Sequence, residues 1–197
     1  MRERRAMERA VKLFGRVVVP GSLAGQSARV EHERFLALVA AHQGALFKVA
    51  WAFARSAHDR DDLLQEIVTR LWMAFGRYDG GRPFSTWMYR VALNVAIDFR
   101  RRRRRWGRER SGLDEQTAQG ATVSQADAEH ALELRELLEQ LGDADRALLL
   151  LHLEEQTHRE IGAVLGISES NVGTRLNRLK NTLRRLSQET TKAQEDL

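Results

Sequence analysis

The sequence contains no cysteine. Disulfides, thiol nucleophiles and cysteine-ligated zinc are therefore excluded, and a reducing compartment suits such a chain. Long apolar runs are missing too. The longest run of leucine, isoleucine and valine is Leu148–Leu151, against the roughly 20 residues of a membrane span. No apolar segment of signal-peptide type follows the N-terminal arginines. The expectation is a soluble, cytoplasmic protein with no membrane insertion. The histidines show no ligand spacing: His32, His42, His130, His152 and His158 are scattered, and the lone pair His58-Asp59 is too little for a metal-dependent phosphohydrolase. Neither a glycine-rich phosphate loop nor a nucleophile elbow is present. No catalytic residue, metal or cofactor is expected, and the chain is read as a non-enzyme.

What is abundant is positive charge, and it is local. The 197 residues carry a net charge of +5, but acidic residues crowd Asp59–Glu66 and Asp127–Glu139 while arginines cluster at the N-terminus and after Asp98. A local basic patch implies a polyanionic partner. The length and the 43% hydrophobic and 30% charged content allow one domain or two small ones.

The organising stretch is Phe84–Arg100, which runs straight into Arg101–Arg105. Trp87, Val91, Val95 and Phe99 repeat every four residues, as do Tyr89, Leu93 and Ile97, so most of this helix should be buried. One polar stripe interrupts the apolar surface: Arg90, Asn94, Asp98 and Arg101. Cations suit a helix C-terminus, but one or two suffice there, at about 0.3–1 kcal/mol each. Six consecutive arginines repel one another, and nucleic acid accounts for them better than a solvated face does.

Around this helix the chain divides readily. Residues 1–30 show no sustained period and are read as a mobile extension: an over-extended reading frame, a nucleic-acid tail or a short anchor. From Glu31 to Ser56 the apolar residues predict a helix or a bent helical pair. After an acidic turn at His58–Asp61, Leu64, Ile67, Val68, Leu71, Trp72 and Phe75 mark another helix, with Asp59 or Asp61 as candidate caps. Tyr78–Pro83 breaks it, and Ser85 or Thr86 restarts the next. Residues 107–128 lose periodicity and read as a flexible linker. Helix resumes near Ala128–Leu141, turns at Gly142-Asp143 and continues through Leu153.

Thr157–Lys180 fits a helix-turn-helix. Gly162 supplies a small residue at the helix crossing, Gly166 the turn, Ile167 a buried turn residue, Ser168 an N-cap, and Val172 and Leu176 the inner face. Ser168, Glu169, Ser170, Asn171, Thr174, Arg175 and Arg178 would face a major groove. Gly173 costs such a helix about 1 kcal/mol relative to alanine, or marks close approach to DNA.

Asp61-Asp62-Leu63-Leu64-Gln65-Glu66, Leu71-Trp72 and Phe84–Asn94, followed by Glu160-Ile161 to Ser168 and Thr174-Arg175-Leu176 with Arg178, resemble regions 2 and 4 of a bacterial sigma factor of the extracytoplasmic-function group of the sigma-70 family. The resemblance implies an all-α fold of two small helical domains: region 2 at 31–106 and region 4 at 129–188, with a tail at 189–197. It implies an alternative sigma factor that binds RNA polymerase core and directs promoter recognition, melting and initiation. By the same resemblance, Asp61, Asp62, Gln65, Glu66 and Thr69 dock on the beta-prime clamp helices of the core. Tyr78, Arg82, Phe84, Trp87, Tyr89, Arg90, Asn94, Asp98 and Arg101 handle the minus-ten element, with Tyr78 and Phe84 ranked above Trp87 for base contact. The helix-turn-helix reads the minus-thirty-five element, and an anti-sigma factor is a further expected partner. Gly173 replaces a basic residue usual in the family, Pro83 stiffens the minus-ten loop, and the N-terminal extension has no counterpart. The rival reading is an ordinary helix-turn-helix regulator, which explains Thr157–Lys180 but not the arginine-terminated first domain.

Overall fold

The computed structural model describes residues 26–105 and 134–195, with side-chain surroundings for 29–105 and 134–185. The linker at 107–128 and the first 25 residues lie outside the described residues. All regular structure among the described residues is α-helix, as expected. The chain divides into two compact units, Met1–Thr122 and Val123–Leu197.

The first unit holds α1 (Gln26–Ala41), α2 (Gln43–Phe53), α3 (Ala57–Phe75) and α4 (Phe84–Arg105). The helix begins at Gln26, inside the stretch read as an extension. α1 and α2 are the bent pair, meeting at 64° around His42, whose Nδ1 lies 2.9 Å from the Leu38 carbonyl oxygen. α2, α3 and α4 pack against one another, and α1 joins them through the Phe35 ring against Trp72 and Phe75. Among the described residues no single helix is long and apolar enough to cross a membrane.

Two helix starts differ from expectation. Ser56 caps α3, its Oγ accepting from the Asp59 N–H at 3.0 Å, so Asp59 lies inside the first turn, where a carboxylate favours the helix dipole. α4 opens at Phe84 because the Pro83 carbonyl already accepts from the Trp87 N–H at 3.3 Å. Burial on α4 also differs from the four-residue rows. Met88, Ala92 and Ala96 are fully buried and Val95 nearly so, while Trp87, Val91 and Phe99 are half-buried. A helix turns about 100° per residue, so a strict four-residue row drifts about 40° per step and leaves the core face.

The second unit holds α5 (residues 134–140), α6 (Asp143–Leu153), α7 (His158–Leu165) and α8 (Glu169–Glu195). Leu148, Leu151, Ile161 and Val172 are fully buried at its centre. One charged side chain shares that core. Arg146, 1% exposed, donates to the Leu138 carbonyl and lies 3.7 Å from Glu139. It thus ties the last turn of α5, where carbonyls lack helical partners, to α6.

The helix-turn-helix is built from short-range chemistry. Thr157 and Glu160 form a capping box at α7: the Glu160 N–H donates to Thr157 Oγ1 at 3.2 Å and the Thr157 N–H donates to the Glu160 carboxylate at 2.8 Å. Gly166 ends α7 at φ +70°, a left-handed conformation that glycine adopts without strain. A Cβ on Gly162 would stand 2.7 Å from the Ile167 carbonyl oxygen, so the backbone of the turn occupies the place of a side chain. Ile167 is half-buried rather than buried.

Candidate nucleic-acid and protein-docking interfaces

α3 presents a polar strip on the side away from its core. Asp61, Asp62 and Gln65 are exposed, and Glu66 and Thr69 half-buried. Thr69 Oγ1 donates back to the Gln65 carbonyl at 2.8 Å, and His58 Nε2 stands 3.5 Å from Asp62 Oδ2. Asp62, Gln65, Glu66 and Thr69 line one shallow depression with Arg70 and Met73. Met73, 66% exposed, was absent from the sequence-derived set. Its position, four residues after Thr69 on the polar side, is the signal that would have found it.

The arginine run is divided by the helical period. Arg102 Nη2 donates to both Glu66 carboxylate oxygens, at 2.9 and 2.7 Å, and Arg103 pairs with Asp59. Their guanidinium carbons stand 5.9 and 5.4 Å from the centroid of the Phe99 ring, close enough for cation–π attraction. Arg100 is 3% exposed. Three of the six arginines therefore face the bundle, two of them binding α4 to the acidic side of α3. Arg101, Arg104 and Arg105 are exposed. They continue the polar stripe of Arg90, Asn94 and Asp98, all exposed, into a track of about 22 Å from Arg90 to Arg105.

At the other end of α4, Tyr78 and Trp87 meet at 5.2 Å between ring centroids, with Phe84 5.6 Å from Tyr78. The loop holds itself in shape. Tyr78 donates its hydroxyl to the Arg82 carbonyl at 2.9 Å, Asp79 Oδ1 accepts from the Gly81 N–H at 2.9 Å, and Gly80 takes φ +75°. Arg82 is exposed, Tyr78 and Trp87 half-buried. Phe84 and Tyr89, by contrast, are 7% and 3% exposed. Phe84 packs edge-on against Phe75 and against the His42 ring. The ranking of Phe84 above Trp87 is therefore reversed: a base can meet the available faces of Tyr78 and Trp87, whereas Phe84 and Tyr89 serve as core beneath them.

In the second unit, Ser168 caps α8, its Oγ accepting from the Asn171 N–H at 3.2 Å. Glu169, Ser170, Asn171, Thr174 and Arg178 are exposed. Thr174 Oγ1 donates to the Ser170 carbonyl at 3.1 Å. Arg175 is half-buried and donates from Nη2 to Asp145 Oδ1 at 3.0 Å. Gly173 faces the His158 ring, whose nearest atoms would be 3.8 Å from an added Cβ. That is ordinary contact, so the position does not demand glycine for space.

Comparison with known proteins places this geometry. Residues 38–106 match Sigma-70 region 2, and residues 131–183 match Sigma-70, region 4. The chain is 32% identical over 173 residues to the RNA polymerase sigma factor CnrH of Cupriavidus metallidurans, covering 82% of this chain and 90% of that protein. It is 27% identical over 172 residues to the ECF RNA polymerase sigma factor SigW of Bacillus subtilis, covering 81% and 92% respectively. Among solved structures, CnrH in complex with the cytosolic domain of CnrY superposes with a TM-score of 0.61 at 23% identity, covering 93% of this chain and 97% of that one. The sigma factor RpoE of Bartonella quintana, in complex with the anti-sigma factor NepR, gives 0.55 at 19%, covering 80% and 96%. These superpositions show a shared fold. An ordinary helix-turn-helix regulator leaves the region 2 match unexplained. The chain belongs to the extracytoplasmic-function group of the sigma-70 family of RNA polymerase sigma factors.

Proposed function

We propose that this sigma factor divides its work among three surfaces. As a family member it binds RNA polymerase core and directs promoter recognition, DNA melting and initiation; the residue assignments are ours. Residues 31–106 act as region 2 and 129–188 as region 4, with 107–128 as linker. Asp61, Asp62, Gln65, Glu66 and Thr69, extended by Met73, form the strip that docks on the beta-prime clamp helices. Exposed carboxylates beside one exposed thioether suit a partner that is basic with an apolar centre.

Arg90, Asn94, Asp98 and Arg101 carry the displaced minus-ten strand, with Tyr78, Arg82 and Trp87 at the point where a base leaves the stack. Extrusion costs a few kcal/mol, and stacking on an aromatic face returns about 1–3 kcal/mol per base. Ser168, Glu169, Ser170, Asn171, Thr174, Arg175 and Arg178 face the minus-thirty-five duplex. The protein works in the cytoplasm with the polymerase and catalyses no covalent step of its own. CnrH is solved with the cytosolic domain of CnrY and RpoE with the anti-sigma factor NepR, and by likeness an anti-sigma factor controls this chain too.

The observation that carries the reading is the exposed polar track on a helix whose other faces are buried. Fluorescence of 2-aminopurine placed across the minus-ten element tests it in the reconstituted holoenzyme. Trp87→Ala should slow strand opening at least about fivefold, the loss of roughly one stacked base. Opening at the wild-type rate would remove Trp87 from the melting site.

A further inference from the structure

Arg175 is held from within its own unit. Its partner, Asp145, lies 30 positions away in sequence, in the first turn of α6. That carboxylate has a fixed base. The Asp145 N–H donates to the Gly142 carbonyl at 3.1 Å, the next residue is the buried Arg146 locked onto Leu138, and Ala147 and Leu148 are fully buried. A carboxylate in the first turn also sits at the positive end of the helix dipole. Asp145 is thus an anchored acceptor facing α8, and its side chain remains 46% exposed.

An arginine has five N–H donors in a rigid fork. The bond to Asp145 uses one on Nη2, leaving the others for a second partner. A guanidinium fixed on one side has fewer orientations in which to sweep along a phosphate backbone, and the adjacent negative charge disfavours phosphate as the second partner. A base edge, where arginine makes a directional bidentate contact, suffers less from that charge. Arg178, one turn later and exposed, has no such anchor among the described residues.

We propose that Asp145 is a positioning residue that sets sequence specificity: it orients Arg175 toward a base edge of the minus-thirty-five duplex and discourages its use on phosphate. The proposal rests on the reading of α8 as the DNA-facing helix. The bland alternative is a strut that only holds α6 against α8. A strut predicts the same outcome whichever partner is removed, whereas positioning predicts a shared loss of base preference and a difference in non-specific binding.

The experiment has two arms, both with the full-length chain. In the first, the holoenzyme selects promoters from a library randomised in the upstream element. In the second, the salt dependence of binding to sheared, non-specific duplex DNA is measured. With Asp145→Ala, preference at one upstream position should fall at least about fivefold, as one bidentate contact is lost. Non-specific binding should tighten, its salt slope steepening by about 0.9 as Arg175 becomes a phosphate contact. Arg175→Ala should lose the same base preference without the steeper slope, and Asp145→Asn, which keeps an acceptor oxygen, should restore most of the preference. Equal effects of Asp145→Ala and Arg175→Ala in both arms, or none, would overturn the positioning role. Asn171→Ala and Arg178→Ala separate the two levels. If they shift upstream preference while Asp145→Ala does not, only the role of Asp145 is refuted. If they too leave every position unchanged, the DNA-facing reading of α8 falls, and the proposal with it.

Discussion

One substitution made at two glycines should act in opposite directions. At Gly162 an added Cβ would stand 2.7 Å from the carbonyl oxygen of Ile167 and 3.6 Å from the Glu169 nitrogen. The obstacle is backbone at the start of α8, so the turn itself must move. Overpacking of this kind costs about 1–3 kcal/mol, and the better helix propensity of alanine returns about 1 kcal/mol. Rigid backbone places the cost in the upper part of its range, and the net loss is about 1–2 kcal/mol. At Gly173 the Cβ meets only the His158 ring, at 3.8 Å, so alanine gains its propensity of about 1 kcal/mol unopposed. The described tryptophans, Trp51, Trp72 and Trp87, belong to the first unit, so their fluorescence is no direct report on α7 and α8. Amide hydrogen exchange of α7 and α8 in the full chain is the suitable assay. Protection should differ between the two variants by about 30-fold or more, at about 1.4 kcal/mol per factor of ten. A neutral Gly162→Ala, or shifts of the same sign, would refute the close approach of α7 to the turn.

The pair Glu66–Arg102 should give a coupling of about 0.5–3 kcal/mol in a double-mutant cycle of thermal stability, because both partners are partly shielded and one charged nitrogen, Nη2, serves both carboxylate oxygens; a coupling near zero would mean that it does not form in solution. The capping box makes a pH prediction. Hydrogen bonds from the Thr157 hydroxyl and then its backbone N–H lower the pKa of Glu160 below its ordinary value. That contribution is present above the unfolded carboxyl pKa and is lost as pH falls through the lowered folded value. Thr157→Ala should therefore cost about 1 kcal/mol near neutrality, with a gap in Tm from wild type that narrows toward acid; a gap independent of pH would contradict the assignment. Arg146→Ala should destabilise the second unit by about 2 kcal/mol or more, since a fully buried side chain and its hydrogen bond to the Leu138 carbonyl are lost together, and Arg146→Met should recover part of that loss in the same exchange experiment.

How much was legible in the sequence depended on the range over which each interaction acts. The helix-turn-helix could be read almost completely, because capping and turn chemistry at Thr157, Glu160, Gly166 and Ser168 act within a few residues. Its one misplacement, Ile167, is a matter of degree of burial. The bent α1–α2 pair and the polar stripe of α4 were legible because hydrophobic spacing reports a helical face directly. The arginine run was half misread. A block of one charge looks uniform in sequence, yet the helical period buries Arg100 and turns Arg102 and Arg103 toward Glu66 and Asp59 on another helix. Phe84 and Trp87 were ranked in the wrong order for a related reason, since proximity to a glycine-rich loop does not reveal that His42 and Phe75 cover the Phe84 ring. Arg146 and Asp145 gave no signal at all, because their partners are fixed only by the way α5 and α8 pack against α6.

The account as a whole is tested most directly by transcription in vitro, with the purified chain added to sigma-free bacterial core polymerase on sheared genomic DNA of the source organism and the transcript starts mapped. It predicts discrete new starts that share two spaced upstream elements, lost together when Asp62 and Gln65 on the α3 strip are replaced by lysine. Core polymerase that gains no starts from the chain, while the chain alone binds specific duplex sites, would contradict it.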